Sequence, residues 1–91
     1  MPADEAFRLG FANRLAERGE ALGQALEIAT AIAGNSAGVL RAIKSGLQTL
    51  ASKGTDAAAN YEWEMGRQLQ SHADAAEGIN AFLEKRAPNF V

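Results

Sequence analysis

The stretch GNSAGVLRAIKSGLQTLASKG, residues 34–54, decides the fold. Gly34-Asn35 reads as a left-handed helix stop, because these two residue types best tolerate positive φ. Ser36 follows as an N-cap, whose hydroxyl can satisfy an orphan amide of the first turn. Val39, Leu40, Ile43, Leu47 and Leu50 then recur with helical spacing and supply a buried side. Lys53-Gly54 ends the segment. Val, Ile, Thr and aromatic residues never alternate over a strand-length window, so the period is helical throughout.

The flanking segments follow the same rule. Upstream, residues 19–33 place Leu22, Ala25, Leu26, Ala29, Ile32 and Ala33 on one apolar face. Before them, Phe7, Phe11 and Leu15 recur every four residues, which predicts a helix over 3–18 weakened at Gly10. Asp4 and Glu5 suit its positive end. Downstream, Thr55 or Asp56 caps a fourth helix with the stripe Ala58, Tyr61, Met65 and Leu69, and Trp63 to one side. A fifth begins near Asp74, where Asp74-Ala-Ala-Glu77 has the spacing of a capping box. Ile79, Phe82 and Leu83 are its apolar face, and Pro88 leaves an irregular tail that carries a loose aromatic, Phe90.

The expectation is an all-α chain of four to five amphipathic helices forming a single helical domain over residues 1–91. A chain of 91 residues buries a modest share of its surface. Several of its faces consist largely of alanine, which adds little burial energy at about 25 cal/mol per Å². Self-association, or docking on another domain, is therefore expected.

Composition narrows the function. Nine Lys and Arg stand against eleven Asp and Glu, a net charge of −2, which argues against nucleic acid as a partner. No apolar run is long enough for a membrane span. No basic start followed by an apolar segment suggests a leader, so a cytoplasmic chain is expected. There is no cysteine and one histidine, His72, so no thiolate or histidine metal site is expected.

The chemistry-bearing residues have ordinary readings. Glu62 and Glu64 lie two apart on a helix and point in different directions. Glu77 reads as a cap and Glu84 as its neighbour two turns on. His72 sits in a Gln-Ser-His-Ala-Asp linker with no nucleophile placed beside it. Trp63 and Tyr61 read as interface packing rather than a stacking platform. Gly38, Gly46, Gly66 and Gly78 lie inside predicted helices, where close approach of another segment would explain them. Lys85 and Arg86 follow the last apolar face. They can complement the helix dipole or hold a phosphate.

Three segments together resemble the C-terminal part of the enoyl-CoA hydratase/isomerase, or crotonase, superfamily. They are ADEAFRLGFANRLA at 3–16, ALEIATAIAGNSAGVLRAIKSGL at 25–47 and DAAEGINAFLEKRAPNF at 74–90, the last being the most specific. Lys44 matches a lysine of the family's second helix here. Two departures stand out: the family strand after Gly10 reads as helix over 11–18, and His72 occupies the usual serine position.

The resemblance implies an absence as much as a function. The family adds water to an acyl-CoA thioester, or isomerises it, using an oxyanion hole and carboxylates in an N-terminal spiral core. That core is not in these residues, so no catalytic residue is assigned and the 91 residues alone are expected to be inactive. The family's C-terminal helices build the trimer interface and cover the acyl-CoA site, often of an adjacent subunit. Lys85 matches a lysine that approaches the CoA nucleotide in some members, and Phe82 matches the family aromatic, read first as packing. Residues 66–68 lack the aromatic that helps enclose the adenine in some members. A coenzyme A thioester is thus the substrate of the parent family, and no other cofactor is implied. Expected partners are further copies of the chain or the catalytic core. The alternative is a free-standing helical interaction protein descended from such an enzyme.

Overall fold

The computed structural model describes residues 1–91 and is all-helical, with five α-helices and no strand. The chain divides into two compact units, residues 1–32 and 33–91.

The first unit holds α1 (Ala3–Arg8) and nearly all of α2 (Ala21–Ala33). The helix expected over 3–18 stops at Arg8. Gly10 takes φ 82°, and the N–H groups of Phe11 and Ala12 both turn back to the Ala6 carbonyl, at 2.9 and 3.2 Å. Residues 11–18 are irregular, neither helix nor strand. The three-residue stripe of Phe7, Phe11 and Leu15 could not outweigh a left-handed glycine in mid-segment, and Phe11 is 77% exposed. Gly19, at φ 90°, leads into α2. The expected face of α2 is also open: Leu22, Leu26 and Ile32 are exposed, and only Gln24 and Ile28 are half-buried.

The second unit is built on a hairpin of α3 (Ala37–Lys53) and α4 (Thr55–Gln70), joined by Gly54 alone. Gly38 meets Leu69 and Gly46 meets Tyr61, so the two helices run antiparallel. A Cβ at Gly46 would lie 3.5 Å from the Tyr61 ring, and one at Gly38 would lie 3.4 Å from Leu69 Cδ2. These are ordinary van der Waals distances, so the two glycines lie at the contact but an alanine would also fit there. Gly66 has no such neighbour.

The hairpin does not pack on the face that periodicity selects. Ala58, Tyr61, Met65 and Leu69 of α4 are half-buried as expected. On α3, however, the half-buried residues are Gly38, Leu40, Ala42, Ser45, Gly46 and Thr49, mostly small. Ile43 is 55% and Leu47 62% exposed. A row of small residues lets two helices approach closely, and it wins the internal contact. The large residues are left outside it.

The caps also differ from expectation. Ser36 holds the N-cap position of α3 but makes no capping hydrogen bond, because its hydroxyl is directed elsewhere. Gly54, not Thr55 or Asp56, is the N-cap of α4. The left-handed positions are Gly10, Gly19, Gly54 and Lys85, so the stop at Gly34-Asn35 is made without positive φ.

Candidate functional site

Helix α5 (Ala73–Glu84) carries the residues of interest, and its start corrects the sequence reading. The N-cap is His72, whose Nδ1 accepts from the Asp74 N–H at 3.1 Å. The linker histidine is thus a cap, and Asp74-Ala-Ala-Glu77 is not a capping box. Asp74 and Glu77 lie inside the helix and face back toward other segments.

Asp74 is only 5% exposed. It accepts from the Ser36 hydroxyl through Oδ2 and from the Val91 N–H through Oδ1, the latter at 2.9 Å. One carboxylate therefore ties the start of α3, the start of α5 and the end of the chain. The Ser36 hydrogen bond, then the Val91 amide, hold its pKa below the ordinary 3.8 against the opposing effect of burial.

Glu77 does parallel work one turn on. It takes a two-pronged pair from Arg86, at 2.6 and 3.1 Å, and the Asn89 N–H at 2.8 Å. The Arg86 hydrogen bonds, then the Asn89 amide, lower its pKa from 4.5 to about 2. Arg86 Nε also reaches Glu84 at 2.6 Å, and the two carboxylates raise the guanidinium pKa further. With Phe90 resting beside Gly78, 3.8 Å from where a Cβ would be, the tail lies along Asp74, Glu77 and Gly78. The irregular tail expected after Pro88 is present, but its aromatic is half-buried rather than loose.

Helix α5 is consequently inverted. Its covered face is acidic and small, with Asp74, Glu77, Gly78 and the buried Ala81 at helical spacing. Its apolar face is open, with Ile79 63%, Phe82 82% and Leu83 71% exposed. Val39, Leu69, Ile79, Phe82, Leu83 and Phe90 line a groove of about 580 Å³. A second groove of about 370 Å³ runs along the hairpin past Ile43, Leu47 and Tyr61.

Lys85 sits at the end of α5 with φ 54° and ψ 42°, the one non-glycine residue in left-handed backbone. Its N–H donates to the Phe82 carbonyl at 3.2 Å and the Arg86 N–H to the Ala81 carbonyl at 3.0 Å. This pair of bonds is a Schellman closure, a position that glycine fills at lower cost. Phe82 and Lys85 are both exposed at this end. The basic pair therefore splits: Arg86 is engaged by carboxylates, whereas Lys85 holds the turn. The remaining candidates are scattered over α4. Glu64 pairs with Gln68 and lies 3.9 Å from Arg67, and Trp63 is 74% exposed while Tyr61 packs on Gly46.

The Glu77–Arg86 clasp and the Asp74 tie were not legible in sequence. Both need the chain to reverse after α5, and the one hint is Pro88, which keeps the chain from returning to helix beyond the end of α5 at Glu84.

These features define an all-helical module whose internal packing uses small residues and whose large apolar side chains stay outside. The chain belongs to the enoyl-CoA hydratase/isomerase family, whose profile matches residues 1–91. It is 35% identical over 90 residues to enoyl-CoA hydratase EchA19 of Mycobacterium tuberculosis, covering 99% of this chain and 34% of that protein. It is 36% identical to a putative enoyl-CoA hydratase of Thermus thermophilus, covering 99% of this chain and 36% of the relative. The fold superimposes on a probable enoyl-CoA hydratase/isomerase of Mycobacterium abscessus with TM-score 0.96 and 28% identity, covering all of this chain and 35% of the other. The chain thus spans about a third of the length of its relatives, and it matches the family's C-terminal helical part. No helix is long and apolar enough to cross a membrane.

Proposed function

We propose that these residues act as the C-terminal assembly and acyl-CoA lid module of a crotonase-type enzyme and are not catalytic in isolation. The observation that carries this reading is the inverted packing of α3 and α5. Both bury small or acidic faces and leave Ile43, Leu47, Ile79, Phe82 and Leu83 exposed. Exposed apolar surface of this extent marks an interaction site. Further copies of the chain, or the catalytic core, are the partners proposed for it. Sedimentation of the dilute chain tests this. Species heavier than one chain are expected, and a well-folded monomer at all concentrations would remove the self-association reading. The free-standing interaction protein would need the same surface, but with an unrelated partner.

Lys85 is the residue proposed to meet the CoA phosphates, with Phe82 offering apolar surface beside it. The support is its backbone. A left-handed lysine costs about 1–2 kcal/mol relative to a relaxed conformation, and residues held in such a state cluster at functional positions. Two substitutions separate side chain from turn. Lys85→Gly should raise stability by about 1 kcal/mol by removing that strain. Lys85→Gln should leave the strain in place. Both should weaken CoA binding in calorimetry of the assembled protein. If Lys85→Gln binds CoA as the parent does, the lysine is a turn residue only.

A further inference from the structure

We infer that Glu77 is a positioning residue whose clasp on Arg86 and Asn89 sets the Lys85 turn and the C-terminal strap, residues 86–91, as one unit. Three contacts converge on one carboxylate. The two-pronged Arg86 pair fixes a planar guanidinium, which a lysine could not replace. The same guanidinium bonds Glu84, so the residues on both sides of Lys85 are held. The Asn89 amide then brings the chain back over α5, where Phe90 lies on Gly78 and forms one wall of the 580 Å³ groove. A second tie, Val91 to Asp74, fastens the far end.

The device follows from local chain geometry. A Schellman turn reverses the backbone, and Pro88 prevents any return to helix. The strap must then lie along the face of α5 at Asp74, Glu77 and Gly78. The Phe90 ring lies beside Gly78, and two carboxylates supply acceptors for backbone N–H groups that have left the helix. Opening the Glu77 clasp would leave the guanidinium with Glu84 alone, let Lys85 leave the left-handed region and withdraw the groove wall.

The inference deepens the assignment of Lys85, but its readouts involve no CoA, so the two fail separately. NMR of the full chain supplies them: the Phe90–Gly78 ring contact, exchange of the Asn89 amide and the φ-dependent coupling of Lys85. The Gly46–Tyr61 contact serves as an internal control for the hairpin. In Glu77→Ala and in Arg86→Gln, the Phe90 contact and the Asn89 protection should be lost together, and the Lys85 coupling should shift, while Gly46–Tyr61 persists. Unchanged strap signals in both variants, or Asn89 release with Phe90 still seated, would overturn the single-unit clasp.

A pH profile separates positioning from bulk structure and decides the matter if either variant loses its hairpin contact too. Glu77 faces Arg86 directly, with Glu84 across that guanidinium and Asp74 one turn away beside His72. Its folded pKa is depressed, so the clasp is intact above about 4.5 and fails as pH falls toward about 2. Strap signals in the parent chain should move within that window before the hairpin signals do. Strap and hairpin titrating together would refute the inference.

Discussion

Gly54→Ala should destabilise the chain by about 1–3 kcal/mol, because no L-residue adopts this backbone without strain. Gly54 has φ 88° and ψ −177°, a region open essentially to glycine. The residue ends α3 and starts α4 at once. Its N–H donates to the Leu50 carbonyl, and its own carbonyl accepts from the Ala58 N–H, both at 3.1 Å. A relaxed φ would break both bonds and the antiparallel pairing of Gly46 with Tyr61. Nothing lies within 4 Å of a Cβ placed there, so the cost is conformational and not steric. Asparagine should therefore fail as alanine does, since its tolerance is for the left-handed helical region and not for extended ψ. Gly66→Ala gives the opposite sign. It sits in mid-helix with open space around it, and the added methyl should stabilise by up to about 1 kcal/mol. Urea melts of the three variants check the set. Equal midpoints for Gly54→Ala and the parent would mean that the hairpin tolerates another joint.

The hairpin also shows what periodicity can and cannot report. The helical period within residues 34–54 and its end at Gly54 are properties of local sequence and appear as read, whereas Thr55, expected as a cap, is already the first residue of α4. Which side of α3 meets α4 is not local. Val39, Leu40, Ile43, Leu47 and Leu50 make a clear apolar stripe, yet only Leu40 of them is half-buried, alongside the small residues Gly38, Ala42 and Gly46. A stripe of large residues predicts that something covers it, without saying that the cover lies in the same 91 residues. Helix α5 repeats the lesson. Ile79, Phe82 and Leu83 were legible as an apolar face, whereas the acidic face is occupied because Arg86, Asn89 and Val91 return to it. Residues 11–18 failed for a different reason. Their stripe had three members and a glycine in its middle, and a six-residue helix gains little from propagation.

Asp74→Ala should lower the melting temperature more than any other truncation on α5, because the two donors it strands are buried or part-buried, whereas the three hydrogen bonds that Glu77 accepts are exposed. The Ser36 hydroxyl, on a residue 5% exposed, would lose its acceptor, and the Val91 N–H would lose the bond that fastens the end of the strap. A buried donor without a partner costs more than a typical hydrogen bond contributes. Asp74→Asn should be milder at neutral pH. Its amide oxygen can still accept from Val91, and its NH2 can donate to the Ser36 oxygen. The two variants diverge from the parent in acid. Asp74 has a depressed folded pKa, chiefly through Ser36 and then Val91, so its contribution is full above about 3.8 and disappears as pH falls below that value. The parent should therefore lose stability on acidification through this group, whereas Asp74→Asn should lack that part of the decline. Thermal melts between pH 7 and pH 2.5, on the order of the window set by the two carboxylates, read the difference. Parallel acid limbs in the parent and Asp74→Asn would mean that the charge of Asp74 does not hold α3, α5 and the chain end together, leaving shape alone to do so.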